Sequence, residues 1–506
     1  MLLPVGCSQA LGYDRVSIDP AAGDDPGGGA AGGGEGGSGG VPDTTGGTPT
    51  SSPLAAGLGI SAITLYQGTS APLMKDGSPA SHRAPVVANR DALVRVFVAP
   101  TPDWSPRRVL AQLDLVNGAG PVASLQLESD ISSASSEAKL GSSFNFSISA
   151  SALTTDAELS VSLHELDGQP AGAGATDAAV WPSSGTASFG ARDAHGDVRV
   201  VLVPWLYQAD GSGRSPDMSA AQVARLHDEF YATYPAHDVE LTIHSPLGFD
   251  TQFSAGGAGW GELLNQTCAL RQADRVDRNV YYYGLLAPAS SFGAFCGSGC
   301  VAGLGNFAAD PDDDYARCAI GLGFTGQDAA NTAVHEVGHA LGRAHAPCGG
   351  PDQVDGAYPY SSASIGVYGY DLVHGTLLAP SQKDFMSYCQ PEWISDYTYA
   401  GLFERISYVN TLARFVTTAS LPSRFRVASL DGAGEGRWAS SVHLRHPPRG
   451  LPQRLDLLDA AGAVVGSVEG QYYPYTDLGG GTLLVPDAFA LGAAAVRLPS
   501  GASLAL

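Results

Sequence analysis

The densest chemistry in the chain lies in His335-Glu336-Val337-Gly338-His339-Ala340-Leu341-Gly342-Arg343-Ala344-His345, which follows the pattern HExxHxxGxxH. Residues four apart on a helix share a face one turn apart, so the imidazoles of His335 and His339 can grip a single metal ion. Gly342 can adopt the left-handed backbone that ends a helix, turning the chain so that His345 returns as a third ligand from another direction. Three neutral imidazoles leave a fourth position for water, the arrangement of a catalytic rather than a structural zinc site. Glu336 adjoins the first ligand and points to the open side of the metal, where it can take a proton from water as a general base. The plain alternative is three satisfied histidines in a core or on a surface, and the metal-matched spacing speaks against it.

A helix must carry this motif, and Thr325 is expected to open it, with Asp328 completing a capping box. Upstream, strands alternate with helices from Asp197 onward. Val198, Val200, Val201, Leu202 and Val203 form a dense apolar strand, and Ser219 with Gln222 then opens a helix whose stripe is Val223, Leu226 and Phe230. Val239, Leu241 and Ile243 read as a strand, Trp260, Leu263, Leu264 and Cys268 as a second amphipathic helix, and Val280 to Tyr283 as a further strand. Leu402, Ile406 and Val409 mark a closing helix, so the motif sits in an α/β unit. Before it, Val94, Val96 and Val98, then Phe144, Phe146 and Ile148, then Leu159, Val161 and Leu163, alternate with period two, as in a β-sandwich. After about Ser420, short strands return, with Asp459-Ala460-Ala461-Gly462 a tight turn.

The expected fold class is therefore multidomain. An α/β catalytic domain (197–419) is flanked by an N-terminal β-sandwich (59–166), a linker (167–196) and a small C-terminal β-domain (420–506). The length of 506 residues agrees with about three units at roughly 150 residues each.

Composition excludes several function classes. A net charge of −23 repels phosphate backbones, so nucleic acid is not an expected partner. No apolar run reaches the roughly 18 residues needed to cross a bilayer. Cys268, Cys296, Cys300, Cys318, Cys348 and Cys389 cluster in one stretch, an even set that points to three disulfides and an oxidising compartment. Cys7 stands apart behind MLLPVG, which looks like the end of a lipoprotein signal, making Cys7 a candidate for lipidation. The Gly-rich stretch that completes residues 1–58 then acts as a flexible tether holding the folded body away from a membrane surface.

With all five fixed positions of HExxHxxGxxH present, the sequence resembles the metzincin clan of zinc metallopeptidases. That clan also has a Met-turn beneath the metal, and Asp384-Phe385-Met386-Ser387-Tyr388-Cys389 is similar to it, with Met386 in the structural role. The resemblance further implies that Tyr388, two positions on, stabilises the oxyanion as the zinc-associated Tyr does in astacin-like and serralysin-like members. It covers roughly Asp197 to Ser420 and implies a metzincin-like catalytic domain. A narrower similarity to the secreted bacterial StcE-like group implies glycoprotein, including mucin-type, substrates. A Cys348–Cys389 bridge would tie the ligand loop to the floor of the site, although six cysteines allow fifteen connectivities. Asp310-Pro311-Asp312-Asp313-Asp314 offers carboxylates for Ca²⁺, against the reading of a solvated acidic loop. His374 lies outside the motif and is read as structural.

The expected function is that of an exported, zinc-dependent endopeptidase acting on proteins or glycoproteins at the cell envelope or beyond it. Two other readings stand beside it. One is a surface adhesin or glycan-binding protein on a peptidase-like scaffold, and the other is a zinc hydrolase of a non-peptide amide. An intact Glu336 disfavours the scaffold, which would need no base.

Overall fold

The computed structural model describes residues 52–166, 174–297, 299–414 and 422–506, together with the backbone of Asp14–Arg15 and Thr45–Gly46. Cys7 and most of the Gly-rich stretch lie outside the described residues. The structure is mostly β-sheet with few helices, arranged as three sheet systems that share side chains across their boundaries.

The central sheet places Val239–Ile243, Val198–Tyr207, Val280–Leu286 and Cys318–Leu322 in parallel, with Gly303–Gly305 antiparallel at one edge. Alternation along Val198–Tyr207 explains its burial on both faces. Val198, Val200 and Leu202 enter one core, and Val201, Val203 and Trp205 enter another. Helices Ala220–Thr233, Gln327–Ala340 and Asp396–Arg414 cover the first face, and Trp260–Asp274 covers the second. Val223, Leu226, Phe230, Leu402, Ile406 and Val409 are all buried, as their helical spacing requires.

The two expected helix starts behave differently. Ser219 accepts a hydrogen bond from the Gln222 backbone N–H, as a capping residue should. The motif helix does not begin at Thr325. Its first helical residue is Gln327, after Gly326, and the Thr325 hydroxyl donates to Asp217 instead of capping. Gln222 supplies what Thr325 does not, accepting from the Gly326 N–H at 2.9 Å and donating to the Gly326 carbonyl at 3.0 Å.

Leu58–Lys75, Ala92–Pro100 and Phe144–Ile148 form one sheet of the N-terminal sandwich, and Glu158–Glu165, Arg107–Asn117 and Gly120–Ile131 form the other. Within the stretch read as a linker, Val180–Trp181 and Ala187–Ser188 pair with Glu158–Glu165. The sandwich is also joined to the unit built on the central sheet. Gly369–Asp371, from far along the chain, pairs antiparallel with Leu58–Lys75, and the Trp393 indole donates to the Gly68 carbonyl at 2.7 Å.

The C-terminal strands form one antiparallel sheet in the order Gly436–Leu444, Ser423–Asp431, Gly480–Pro486, Val464–Pro474, Leu451–Leu458, Ala495–Arg497 and Ser503–Ala505. Its faces divide cleanly. Val427, Tyr473 and Leu484 pack into the second core of the central sheet, near helix Trp260–Asp274, while Ala428, Leu455, Leu483 and Val485 form a separate core. The Asp459–Gly462 turn closes as expected, with the Gly462 N–H donating to the Asp459 carbonyl at 3.0 Å. The acidic run serves as a docking point between domains. Asp313 accepts from the Arg449 N–H at 2.8 Å and from the Tyr473 hydroxyl, and Asp310 and Asp312 face the Arg449 guanidinium. Among the described residues no helix is long and apolar enough to cross a membrane.

Arg90 of the sandwich is fully buried and donates to the carbonyls of Ala236 and Tyr231, with its guanidinium 4.4 Å from the Tyr231 ring centre. Arg90→Met would leave those carbonyls without a donor, and we expect a loss of about 2–3 kcal/mol in urea unfolding. A loss below about 0.5 kcal/mol would show that this contact does not hold the two units together.

Candidate metal centre

Helix Gln327–Ala340 delivers His335, Glu336 and His339, all buried. Tyr234 steadies the helix from behind, its hydroxyl donating to the Val334 carbonyl at 2.6 Å. The motif's two glycines act by different means. Gly338 admits Met386, since a Cβ there would lie 2.6 Å from its Sδ. Gly342 has φ +78° and turns the chain out of the helix, so that Arg343 and His345 fold back towards it.

The three imidazoles converge. His335 Nε2 lies 3.1 Å from His339 Nε2 and 3.3 Å from His345 Nε2, and the third separation is 3.1 Å. Each Nδ1 sits against a backbone carbonyl: His335 against Phe385 at 2.7 Å, His339 against Arg343 at 2.6 Å and His345 against Asp352 at 2.6 Å. A carbonyl oxygen only accepts, so each Nδ1 must carry the hydrogen, and each neutral ring then turns an Nε2 lone pair inward. Burial lowers the basicity of His335 and His339 and keeps them neutral. Three lone pairs facing one another at these distances repel unless a cation shares them.

Zinc fits this donor set. A tetrahedral ion with bonds of about 2.0–2.1 Å spaces its ligand atoms about 3.3–3.4 Å apart, close to the separations found here. The carbonyls behind the rings fix tautomer and orientation in the way that outer partners of metal-bound imidazoles do.

The fourth side holds a residue absent from the sequence-based reading. Asp477, from the turn between Val464–Pro474 and Gly480–Pro486, places Oδ1 3.3 Å from His345 Nε2 and 3.9 Å from His335 Nε2, with Oδ2 4.0 Å from His339 Nε2. With the three histidines it forms a group able to hold a metal ion. No spacing rule reaches it, because it belongs to another sheet. The one signal was an acidic residue ahead of a glycine-rich hairpin turn, Asp477-Leu478-Gly479-Gly480-Gly481.

Glu336 lies beside the cluster, where only a glycine at 303 leaves room for its carboxyl; a Cβ there would come within 2.3 Å of Oε1. Neither Glu336 Oε2 nor Asp477 Oδ2 has a hydrogen-bond partner among the described residues. Burial, reinforced by the Asp477 charge, pushes the Glu336 carboxyl well above the usual range. A divalent cation in the cluster favours the charged form of both carboxylates.

The residues expected to form a Met-turn pack against the histidine cluster. Phe385 supplies the carbonyl that orients His335, Met386 is buried against Gly338, and the Met386 carbonyl accepts from the Ala346 N–H at 2.9 Å. Tyr388 is 46% exposed, its ring centre 5.0 Å from that of His345, and its hydroxyl donates to Asp477. All three expected disulfides are formed: Cys268–Cys318, Cys296–Cys300 and Cys348–Cys389. The last joins the His345 loop to the segment carrying Met386 and Tyr388. His374 stays on the surface, paired with Asp371 at 2.8 Å.

A cavity of about 520 Å³ opens beside His335 and Glu336, lined by Gly303, Asn331, Thr332, Tyr388 and Glu392 among others. Residues 308–398, which carry the motif, the third histidine and Met386, match the family model Peptidase M66, a zinc metallopeptidase family. The chain is a metallopeptidase. The match and the three-histidine, one-aspartate cluster together support zinc. No curated protein matches the chain.

Because Cys348–Cys389 fixes the third-ligand loop to the floor of the site, replacing both cysteines by Ser should cost about 3–4 kcal/mol of stability. It should also weaken zinc binding about tenfold or more by loosening the His345 mount. Thermal unfolding and a competitive chelator titration read the two effects. Unchanged zinc affinity in a folded double variant would show that the carbonyls suffice without the bridge.

Proposed function

We propose that the chain is a zinc-dependent endopeptidase that cleaves proteins or glycoproteins outside the reducing cytosol. The observation that carries this reading is the set of three Nε2 atoms, each fixed in the ligating tautomer, with Glu336 buried beside them. His335, His339 and His345 would hold zinc, which supplies Lewis acidity to polarise a peptide carbonyl. The Met386 floor and the HExxHxxGxxH helix support a metzincin-like site.

In this mechanism Glu336 takes the proton from the attacking water as the new carbon–oxygen bond forms. It then returns that proton to the departing amine as the carbon–nitrogen bond breaks. Tyr388, whose ring lies 5.0 Å from that of His345, would donate to the developing negative charge on the carbonyl oxygen once its hydroxyl leaves Asp477. The cavity beside His335 gives a side chain of the substrate a place to lie. Three disulfides support export, and a lipidated Cys7 ahead of the Gly-rich stretch would keep the enzyme at the cell surface.

Glu336→Ala should fold, bind about one zinc per chain and lose turnover by about 10²–10⁴-fold, since the residue moves protons without ligating the metal. Elemental analysis alongside hydrolysis of one defined peptide decides this. Activity near that of the unaltered enzyme would remove Glu336 from the mechanism, and loss of zinc would make it a ligand.

A further inference from the structure

Gly303–Gly305 is the edge strand nearest the metal cluster, and an exposed edge is where an extended peptide adds itself as a further strand. The Gly305 end of that edge, and its continuation to Phe307, is already taken by the chain itself. Residues Pro474 to Asp477 run antiparallel along it. The Phe307 N–H donates to the Pro474 carbonyl at 3.2 Å, Asn306 pairs with Tyr475, and the Thr476 N–H donates to the Gly305 carbonyl at 3.1 Å. The Gly305 N–H in turn donates to the Thr476 hydroxyl at 2.9 Å. Tyr475 and Thr476 are buried, and the next residue along this added strand, Asp477, points its carboxylate at the three histidines.

Resting on the metallopeptidase reading, we propose that Pro474–Asp477 is a resident stand-in for substrate. The segment occupies the peptide-binding edge, and Asp477 serves as fourth ligand of the resting zinc. Asp477 Oδ1 lies 3.3 Å from His345 Nε2, which matches a tetrahedral edge, and Tyr388 donates to the same oxygen. The carboxylate therefore holds the position and the hydroxyl that a substrate carbonyl needs. The cleft beside His335 stays open, so peptide is blocked on one side of the metal only. Gly480, with φ +103°, closes the turn and is itself paired with Asp431 in the C-terminal sheet, so the part that would have to swing away is confined to Thr476–Gly479. Withdrawal of this turn frees the edge strand, the fourth position and Tyr388 together.

The test uses the full chain loaded with cobalt(II) or zinc, with Asp477→Ala and the isosteric Asp477→Asn as variants. Acetohydroxamate, a small bidentate zinc binder, is titrated against the cobalt spectrum, and hydrolysis of one defined peptide is followed in parallel. Both variants should bind acetohydroxamate at least tenfold more tightly than the unaltered chain and cleave the peptide at least tenfold faster. If Asp477→Ala loses its metal or its fold, Asp477→Asn decides, since its amide keeps the shape and hydrogen-bonding capacity while being a poorer ligand. Hydroxamate affinity within twofold of the unaltered chain overturns the stand-in, even where peptide is cleaved and the peptidase reading holds. Tighter hydroxamate binding with no peptide cleaved by any form keeps the stand-in and sinks the peptidase reading.

Discussion

Three imidazole lone pairs pointing at one another are electrostatically unfavourable until a cation lies between them, and this constraint organises the molecule. The separations of 3.1 to 3.3 Å among the Nε2 atoms persist because each ring is pinned from behind by a carbonyl it cannot release without stranding a buried donor. Those carbonyls come from three places: the Phe385 turn, the chain just past Gly342, and the loop at Asp352. The helix supplies the rings, but the loops decide which way they face. Much of the surrounding architecture therefore keeps loops in place, with the Cys348–Cys389 bridge and the Asp384 carboxylate, which accepts from the Met386 and Ser395 N–H groups, as two such devices.

What was legible in the sequence follows from period and local chemistry. His335 and His339 share a helix face because of the 3.6-residue turn, and Gly342 reads as a helix exit because the left-handed region favours it. The dense apolar run from Val198 to Val203 read as a strand, and it pairs on both sides within the central sheet. The carbonyl partners of the rings were not legible, since a backbone oxygen has no residue identity. Nor was the start of the motif helix, because Thr325 found a better partner in Asp217, and Gln222 from another helix took over at Gly326. The pairing of Gly369–Asp371 with the N-terminal sandwich is invisible for a related reason, as strand pairing across such a separation leaves no local pattern.

Asp477 shows how the flanking domains enter the chemistry. The C-terminal sheet alternates side chains between its own core and the core it shares with the central sheet, so it cannot slide without exposing Val427, Tyr473 and Leu484. That fixed docking, reinforced by Asp313 with Tyr473 and Arg449, aims the turn after Pro474 at the metal cluster. The acidic run thus contributes by positioning a distant carboxylate. The sandwich is joined from the other side through Arg90, which donates to carbonyls at the end of helix Ala220–Thr233.

The central claim is that three neutral imidazoles and one carboxylate surround a single zinc ion in the resting protein. Zinc K-edge X-ray absorption on the isolated full chain, with elemental analysis of the same sample, tests it most directly. The account predicts about one zinc per chain with a first shell of nitrogen and oxygen only, three of the scatterers showing the outer-shell signature of imidazole at about 2.0–2.1 Å. A sulfur contribution near about 2.3 Å, or fewer than three imidazoles in a fully loaded sample, would contradict it.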